Sequence, residues 1–154
     1  MPITVHSNLS LYAIPTVWAL AFAPHTVKLI MASKNGFEFD NTKPRGELKG
    51  GPTADAQKKD QLDRLAGAHV NGIESFPLFA TAIIIGNFAR LPAKYLNIFS
   101  GLIIFSRASF IAAYYYGTTA RIANIRSGTY FFGVISSLTV LVQAANKVFK
   151  LSAY

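Results

Sequence analysis

The chain of 154 residues has no cysteine. Disulfides, thiolate nucleophiles and cysteine-held metals are therefore excluded, and any thiol chemistry needs a thiol brought by a cofactor. Acidic residues are few and stop early. Glu74 is the last, and the 80 residues after it hold seven of the 15 Lys and Arg but no Asp or Glu. Charge of either sign is sparse, at 14% of residues against roughly 25% in an ordinary soluble domain. No second His or Cys stands at a ligand spacing from His69, so no metal centre is expected. Internal repeats and low-complexity tracts are also missing.

What is present is apolar and blocked. Hydrophobic residues make up 51% of the chain and gather in Leu9 to Ala32, Val70 to Ala89, Tyr95 to Gly117 and Tyr130 to Phe149. Each block is about 20 residues, the helical length that crosses a bilayer's hydrocarbon core. A soluble four-helix bundle would need polar outer faces at a period of 3.6. Segments such as LFATAIIIGNFA and LNIFSGLIIF have none. The expected fold is an all-α integral-membrane four-helix bundle forming one domain over 1–154, with the lipid bilayer as its partner. Helices are expected at about 9–33, 53–90, 93–119 and 127–149, with a polar loop over about 34–52 marked by Asn35-Gly36, Pro44, Gly46, Gly50, Gly51 and Pro52. Pro15 and Pro24 are candidate kinks in the first helix. The small residues of ALAFA (Ala19 to Ala23) imitate a signal cleavage site. No Lys or Arg precedes that apolar run, however, and Pro24 would follow the cut, so an uncleaved first membrane helix is expected.

The net charge of +8 invites a nucleic-acid partner, but the placement of the charges argues against one. Eight basic residues between Lys28 and Arg64 are interleaved with six acids, and no basic stripe alternates with aromatics. Sidedness explains the pattern better. The first and third connections hold ten Lys and Arg, counting Arg121 and Arg126, against Arg90, Lys94, Lys147 and Lys150 on the opposite side. By the positive-inside rule the first loop is cytoplasmic and both termini are external or lumenal.

On the second helix, Arg64, Asn71 and Glu74 recur at spacings that share one face, with His69 on another. Pro77 bends the helix beside Glu74. On the third, Arg107, Phe110, Tyr114 and Arg121 form a second ladder. Arg107 lies deep in its segment, and Glu74 is the only acid available inside the membrane to balance it, so a Glu74–Arg107 contact is expected, directly or through a neighbour. Arg126 and Tyr130 repeat the four-residue spacing on the fourth helix. Two arginines and tyrosine hydroxyls at a membrane boundary suit an anion or a polarised oxygen. The same residues also have plain structural readings: ion-pair glue for Glu74–Arg107, positive-inside charges for Arg121 and Arg126, an interfacial belt for Tyr114 to Tyr116, and a packed helix residue for His69.

The string from Arg64 to Phe79 resembles the helix-two signature of the MAPEG family, the membrane-associated proteins in eicosanoid and glutathione metabolism. An Arg, a His or Gln, an Asn, a Glu and a Pro-aromatic ending match Arg64, His69, Asn71, Glu74 and Pro77 to Phe79. A second stretch is similar to the family's prostaglandin-synthase members: an Arg and a Tyr separated by six residues, like Arg107 and Tyr114, and an Ile-Arg-Ser-x-Thr-Tyr string like Ile125 to Tyr130. The resemblance covers almost the whole chain. It implies a homotrimer in internal membranes such as the endoplasmic reticulum, with sites between subunits. It also implies glutathione at the cytoplasmic side and a lipophilic substrate arriving from the bilayer. The thiolate-stabilising arginine would be Arg121 or Arg126, and glutathione would be held by residues among Arg64, His69, Asn71, Glu74, Tyr114 and Tyr130. Three positions depart from the pattern. Gly67 replaces an arginine, Ser75 a tyrosine and Phe110 another tyrosine, and each removes a potential glutathione contact.

Three functions are consistent with these residues. The first is a glutathione-dependent transferase, isomerase or peroxidase. The second is a glutathione-independent isomerase or cyclase, for example of the Diels–Alder type, working by orientation and polarisation alone. The third is a non-enzymatic lipid-presenting scaffold.

Overall fold

Four long helices carry almost all of the chain in the computed structural model, which describes residues 7–42, 46, 48–51 and 54–152. The first begins under a local cap: Asn8 Oδ1 accepts from both the backbone N–H and the hydroxyl of Ser10, at 3.2 and 2.6 Å. A turn of 3-10 helix, Ser10–Tyr12, then feeds α1, Ala13–Lys34. Both prolines are accommodated, Pro15 in the first turn, where its missing N–H costs nothing, and Pro24 within the helix. Asn35 caps the end and Gly36 turns the chain with a φ of 72°.

The following loop is more ordered than its polarity predicts. β1 (Phe37–Glu38) and β2 (Lys49–Gly50) pair antiparallel, with Phe37 opposite Gly50. Phe37 and Leu48 are buried against Ala32 and Leu62. Two apolar residues in a polar stretch thus fold the loop back onto the helix ends. Pro44, Pro52 and the expected helix start at Thr53 lie outside the described residues.

Asp55 accepts from the Gln57 N–H at 2.8 Å and caps α2, Ala56–Phe88. Arg90, at φ 55°, and Pro92 make the short turn into α3, Ala93–Tyr116. The last helix, α4, spans Ala120–Ser152. It starts earlier than residue 127. Thr119 accepts from the Ile122 N–H at 3.4 Å, and nothing in Arg121 to Arg126 breaks a helix, so the expected third connection shrinks to Gly117, Thr118 and Thr119. Arg121 and Arg126 are therefore helix residues rather than loop residues.

The helix α2 packs against all three others. The deepest core joins Val17, Ala82, Ile83, Leu96, Ile103 and Val140 from all four helices. At the end away from the ribbon, Asn87 Nδ2 donates to Ser10 Oγ at 3.0 Å and Asn97 Oδ1 accepts from the Leu9 N–H at 2.9 Å, clamping the start of α1 to α2 and α3. The outside is as greasy as the inside. Trp18, Ile84, Phe105, Phe131, Ile135 and Val142 are all exposed. All four helices are long and apolar enough to cross a membrane. In water such a surface would aggregate, whereas in hydrocarbon it is the expected exterior. The chain is an all-α, four-helix integral membrane protein.

Candidate functional site

One cluster sits where α2, α3 and α4 meet near the ribbon end. Tyr114 is its centre. Its ring is buried, packed edge-on against Phe110 with centroids 4.9 Å apart. Its hydroxyl accepts from Asn71 Nδ2 at 2.6 Å. Arg126 lies over its face, with Cζ 4.4 Å from the centroid. Asn71, Phe110, Tyr114, Arg126, Ser127 and Tyr130 line a cavity of about 210 Å³. Arg126 forms no salt bridge with a described residue, since the single such pair is Arg64–Asp60. Its charge is therefore available to a ligand. The Tyr114 hydroxyl, already accepting, keeps its proton to donate. This arrangement can hold an anion beside a hydrogen-bond donor at the edge of a low-dielectric interior.

The remaining predicted residues are distributed elsewhere. Arg64 is turned to the end of α3: its Nε donates to the Tyr114 carbonyl at 3.1 Å, and its Nη1 pairs with Asp60. Gln61 Nε2 reaches the Tyr115 carbonyl at 3.4 Å. These two side chains of α2 satisfy carbonyls left open where α3 stops at Gly117. Arg121 is exposed and lines none of these cavities.

His69 and Glu74 face the α1 side. With His25, Lys28, Val70 and Ile73 they line a separate cavity of about 540 Å³. The rings of His25 and His69 stand 5.0 Å apart. His69 Nδ1 is 3.0 Å from the Ala21 carbonyl. A carbonyl can only accept, so Nδ1 carries the proton and donates, and in the neutral ring Nε2 holds the lone pair.

The expected Glu74–Arg107 pair does not form. Arg107 is buried at 6% exposure and donates to Ser75 Oγ at 3.1 Å and to the Thr129 carbonyl at 3.0 Å. Ser75 and Glu74 point about 100° apart around α2, so the residue that meets α3 is the serine and the carboxylate is left exposed on the other side. Four of the predicted residues, Asn71, Tyr114, Arg126 and Tyr130, converge; Arg64, His69, Glu74 and Arg121 do not join them within one chain.

Ser127 and Phe110 line the Arg126 cavity, although neither was expected to act there. Ser127 adjoins Arg126 and lies in the family-like string Ile125 to Tyr130, the signals that could have marked it. Gly67 packs on Tyr114: a Cβ there would stand 3.1 Å from the tyrosine's Cε1. Among the described residues, no three of His, Asp and Glu are placed to hold a metal. The model of the MAPEG family matches residues 9–146. No curated protein and no solved structure matches the chain.

Proposed function

Because this chain belongs to the MAPEG family, we propose that it is a membrane-embedded, glutathione-dependent enzyme acting as a transferase, isomerase or peroxidase on a lipophilic electrophile. The observation that carries this reading is the unpaired Arg126 guanidinium over Tyr114 at the mouth of a cavity that also offers Asn71 and Tyr130. Glutathione would supply the thiol that the cysteine-free chain lacks. Arg126 would hold the negative charge of that sulfur, since a guanidinium lowers the pKa of a neighbouring thiol. Tyr114 would donate its free hydroxyl proton, and Asn71 Oδ1 would accept from the peptide part. Arg121 is the weaker assignment, because it is exposed and away from this cavity.

His69 and Glu74 fit the same reading only with a second copy of the chain. With Lys28 of α1 they line the separate cavity on the α1 side of α2. A homotrimer that sets this face against the neighbour's Arg126 cavity would bring imidazole, carboxylate and ammonium to the same ligand. The basic first loop supports a cytoplasmic position for this end by the positive-inside rule, and the family resemblance supports an internal membrane such as that of the endoplasmic reticulum. Such placement lets water-soluble glutathione meet a substrate dissolved in the bilayer.

A second reading is favoured by Gly67 and Phe110. The Tyr114 ring fills the space an arginine at 67 would need, and Phe110 presents a bare ring to the cavity. A glutathione-independent isomerase or cyclase could use the same site, with Arg126 and Tyr114 polarising a substrate carbonyl. The deciding experiment is calorimetric titration of glutathione into the protein in nanodiscs, with Arg126→Ala as control. Binding lost in the variant supports the first reading. No heat from the wild-type protein, with turnover intact after all thiols are removed, replaces it with the second.

A further inference from the structure

Arg107 takes no part in the chemistry above, yet it is 6% exposed within a membrane-spanning helix, and its described hydrogen-bond partners are all neutral. Nη1 donates to Ser75 Oγ at 3.1 Å, and Nη2 donates to the carbonyl oxygens of Thr129 at 3.0 Å and Tyr130 at 3.5 Å. A buried guanidinium without a counter-charge is costly to keep. The fold nevertheless makes a berth for it: at Gly133 a Cβ would stand 2.5 Å from Nη2 and 3.2 Å from Cζ.

What the berth achieves follows from where those carbonyls lie. Thr129 and Tyr130 are one helical turn past Arg126, and Thr129 Oγ1 donates to the Arg126 carbonyl at 2.9 Å. Ser106 Oγ donates to the same Thr129 carbonyl at 2.9 Å. Two adjacent residues of α3 thus grip one point of α4, and Ser75 ties that point to α2. The guanidinium also lies against the rings of Phe110 and Tyr130, at 5.1 and 5.9 Å from Cζ, and both rings wall the Arg126 cavity.

We propose that Arg107 is a positioning residue: through the Thr129 and Tyr130 carbonyls its planar fork fixes the height and rotation of α4, and so sets the Arg126 guanidinium over Tyr114. The effect on thiol acidity rests on the role proposed above for Arg126; the mechanical effect stands without it.

Two variants disturb the grip in different ways. Gly133→Ala removes no group and pushes the guanidinium, the mobile end of a long side chain, off its carbonyls. Arg107→Lys keeps the charge and loses the fork. Each is placed in nanodiscs and measured twice. The first measurement is the rate at which phenylglyoxal modifies Arg126, read by peptide mass spectrometry without glutathione. The second is the pH at which the ultraviolet thiolate band of bound glutathione appears. Arg126 is expected to label several-fold faster in both variants, and the thiolate midpoint to rise by about one pH unit, with helix content and assembly unchanged. Labelling at the wild-type rate in either folded variant overturns the proposal. If the wild-type protein shows no thiolate band, the glutathione reading fails while the labelling rates still decide the role of Arg107. If Gly133→Ala does not fold, Arg107→Lys decides alone.

Discussion

The guanidinium of Arg126 lies over the ring of Tyr114, with Cζ 4.4 Å from the centroid. A cation on an aromatic face is held by the ring quadrupole, which contributes about 0.5–2 kcal/mol depending on how far the pair is desolvated. The contact restrains a long side chain without neutralising it. A carboxylate partner would hold Arg126 more firmly but would compete with any anionic ligand.

The two arginines at the start of α4 should therefore differ sharply. Arg126→Ala is expected to lower turnover by about 10²–10³, the usual cost of losing one oriented group that stabilises developing charge. Arg121→Ala, at an exposed position outside the cavity, should stay within a few-fold of wild type. Steady-state rates in nanodiscs check this, and the reverse ranking would move the site to the first turn of α4.

Tyr114 offers a ring and a hydroxyl, and substitution can separate them. Tyr114→Phe keeps the surface under Arg126 but leaves Asn71 Nδ2 without its acceptor. A loss of about 0.5–1.5 kcal/mol, up to roughly tenfold in glutathione affinity, is expected with kcat little changed. Tyr114→Leu removes both functions and should also lower kcat. Equal kcat values for the two variants would show that the ring does not orient Arg126.

The helices could be read from the sequence because hydrocarbon leaves the backbone few options: about 20 apolar residues in a row must be helical to satisfy their own N–H and C=O groups. The sites were only half legible. Asn71, Tyr114, Arg126 and Tyr130 line one cavity, but the spacing that grouped Asn71 with Arg64 and Glu74, and Tyr114 with Arg121, does not show which members of each ladder meet. Charge pairs Glu74 with Arg107, but charge does not reveal which of two adjacent residues, Glu74 or Ser75, faces α3. Helix rotation decides that, and rotation is set by small residues such as Gly72 and Gly133, whose contacts emerge only from packing. The ribbon at Phe37 and Lys49 was hidden for another reason, since each strand is too short to show an alternating pattern.

Arg64, in the family-like string, has a structural task in this chain. Its Nε bonds the Tyr114 carbonyl at 3.1 Å at the end of α3. Arg64→Ala is expected to destabilise the protein by about 1.5–3 kcal/mol, as for a hydrogen bond involving a charged group. Glutathione affinity in the surviving folded fraction should change little. Thermal unfolding in detergent and calorimetry measure the two separately. A variant with unchanged melting and lost binding would return Arg64 to the ligand site.

Helices α1 and α2 approach closely where Gly72 meets Ala21: a Cβ at Gly72 would stand 3.0 Å from the Ala21 Cβ and 3.1 Å from its Cα. In a membrane, helices associate chiefly by such packing, so small residues at a crossing matter more than apolar character. The same contact lets His69, one turn earlier on α2, reach the Ala21 carbonyl. Gly72→Ala should force the helices apart by a few tenths of an ångström and cost about 1–3 kcal/mol, the usual penalty of overpacking. Ala21→Gly alone should cost less, because it removes one methyl group. Combined with Gly72→Ala it should recover part of the lost stability, since it removes the Ala21 Cβ from the added methyl group while the Ala21 Cα stays 3.1 Å away. Melting temperatures of the four proteins in one detergent form a double-mutant cycle. A recovery supports contact at this crossing. Strict additivity would mean that α1 and α2 do not meet at Gly72 and Ala21, and the His69–Ala21 hydrogen bond would then lose its geometric basis.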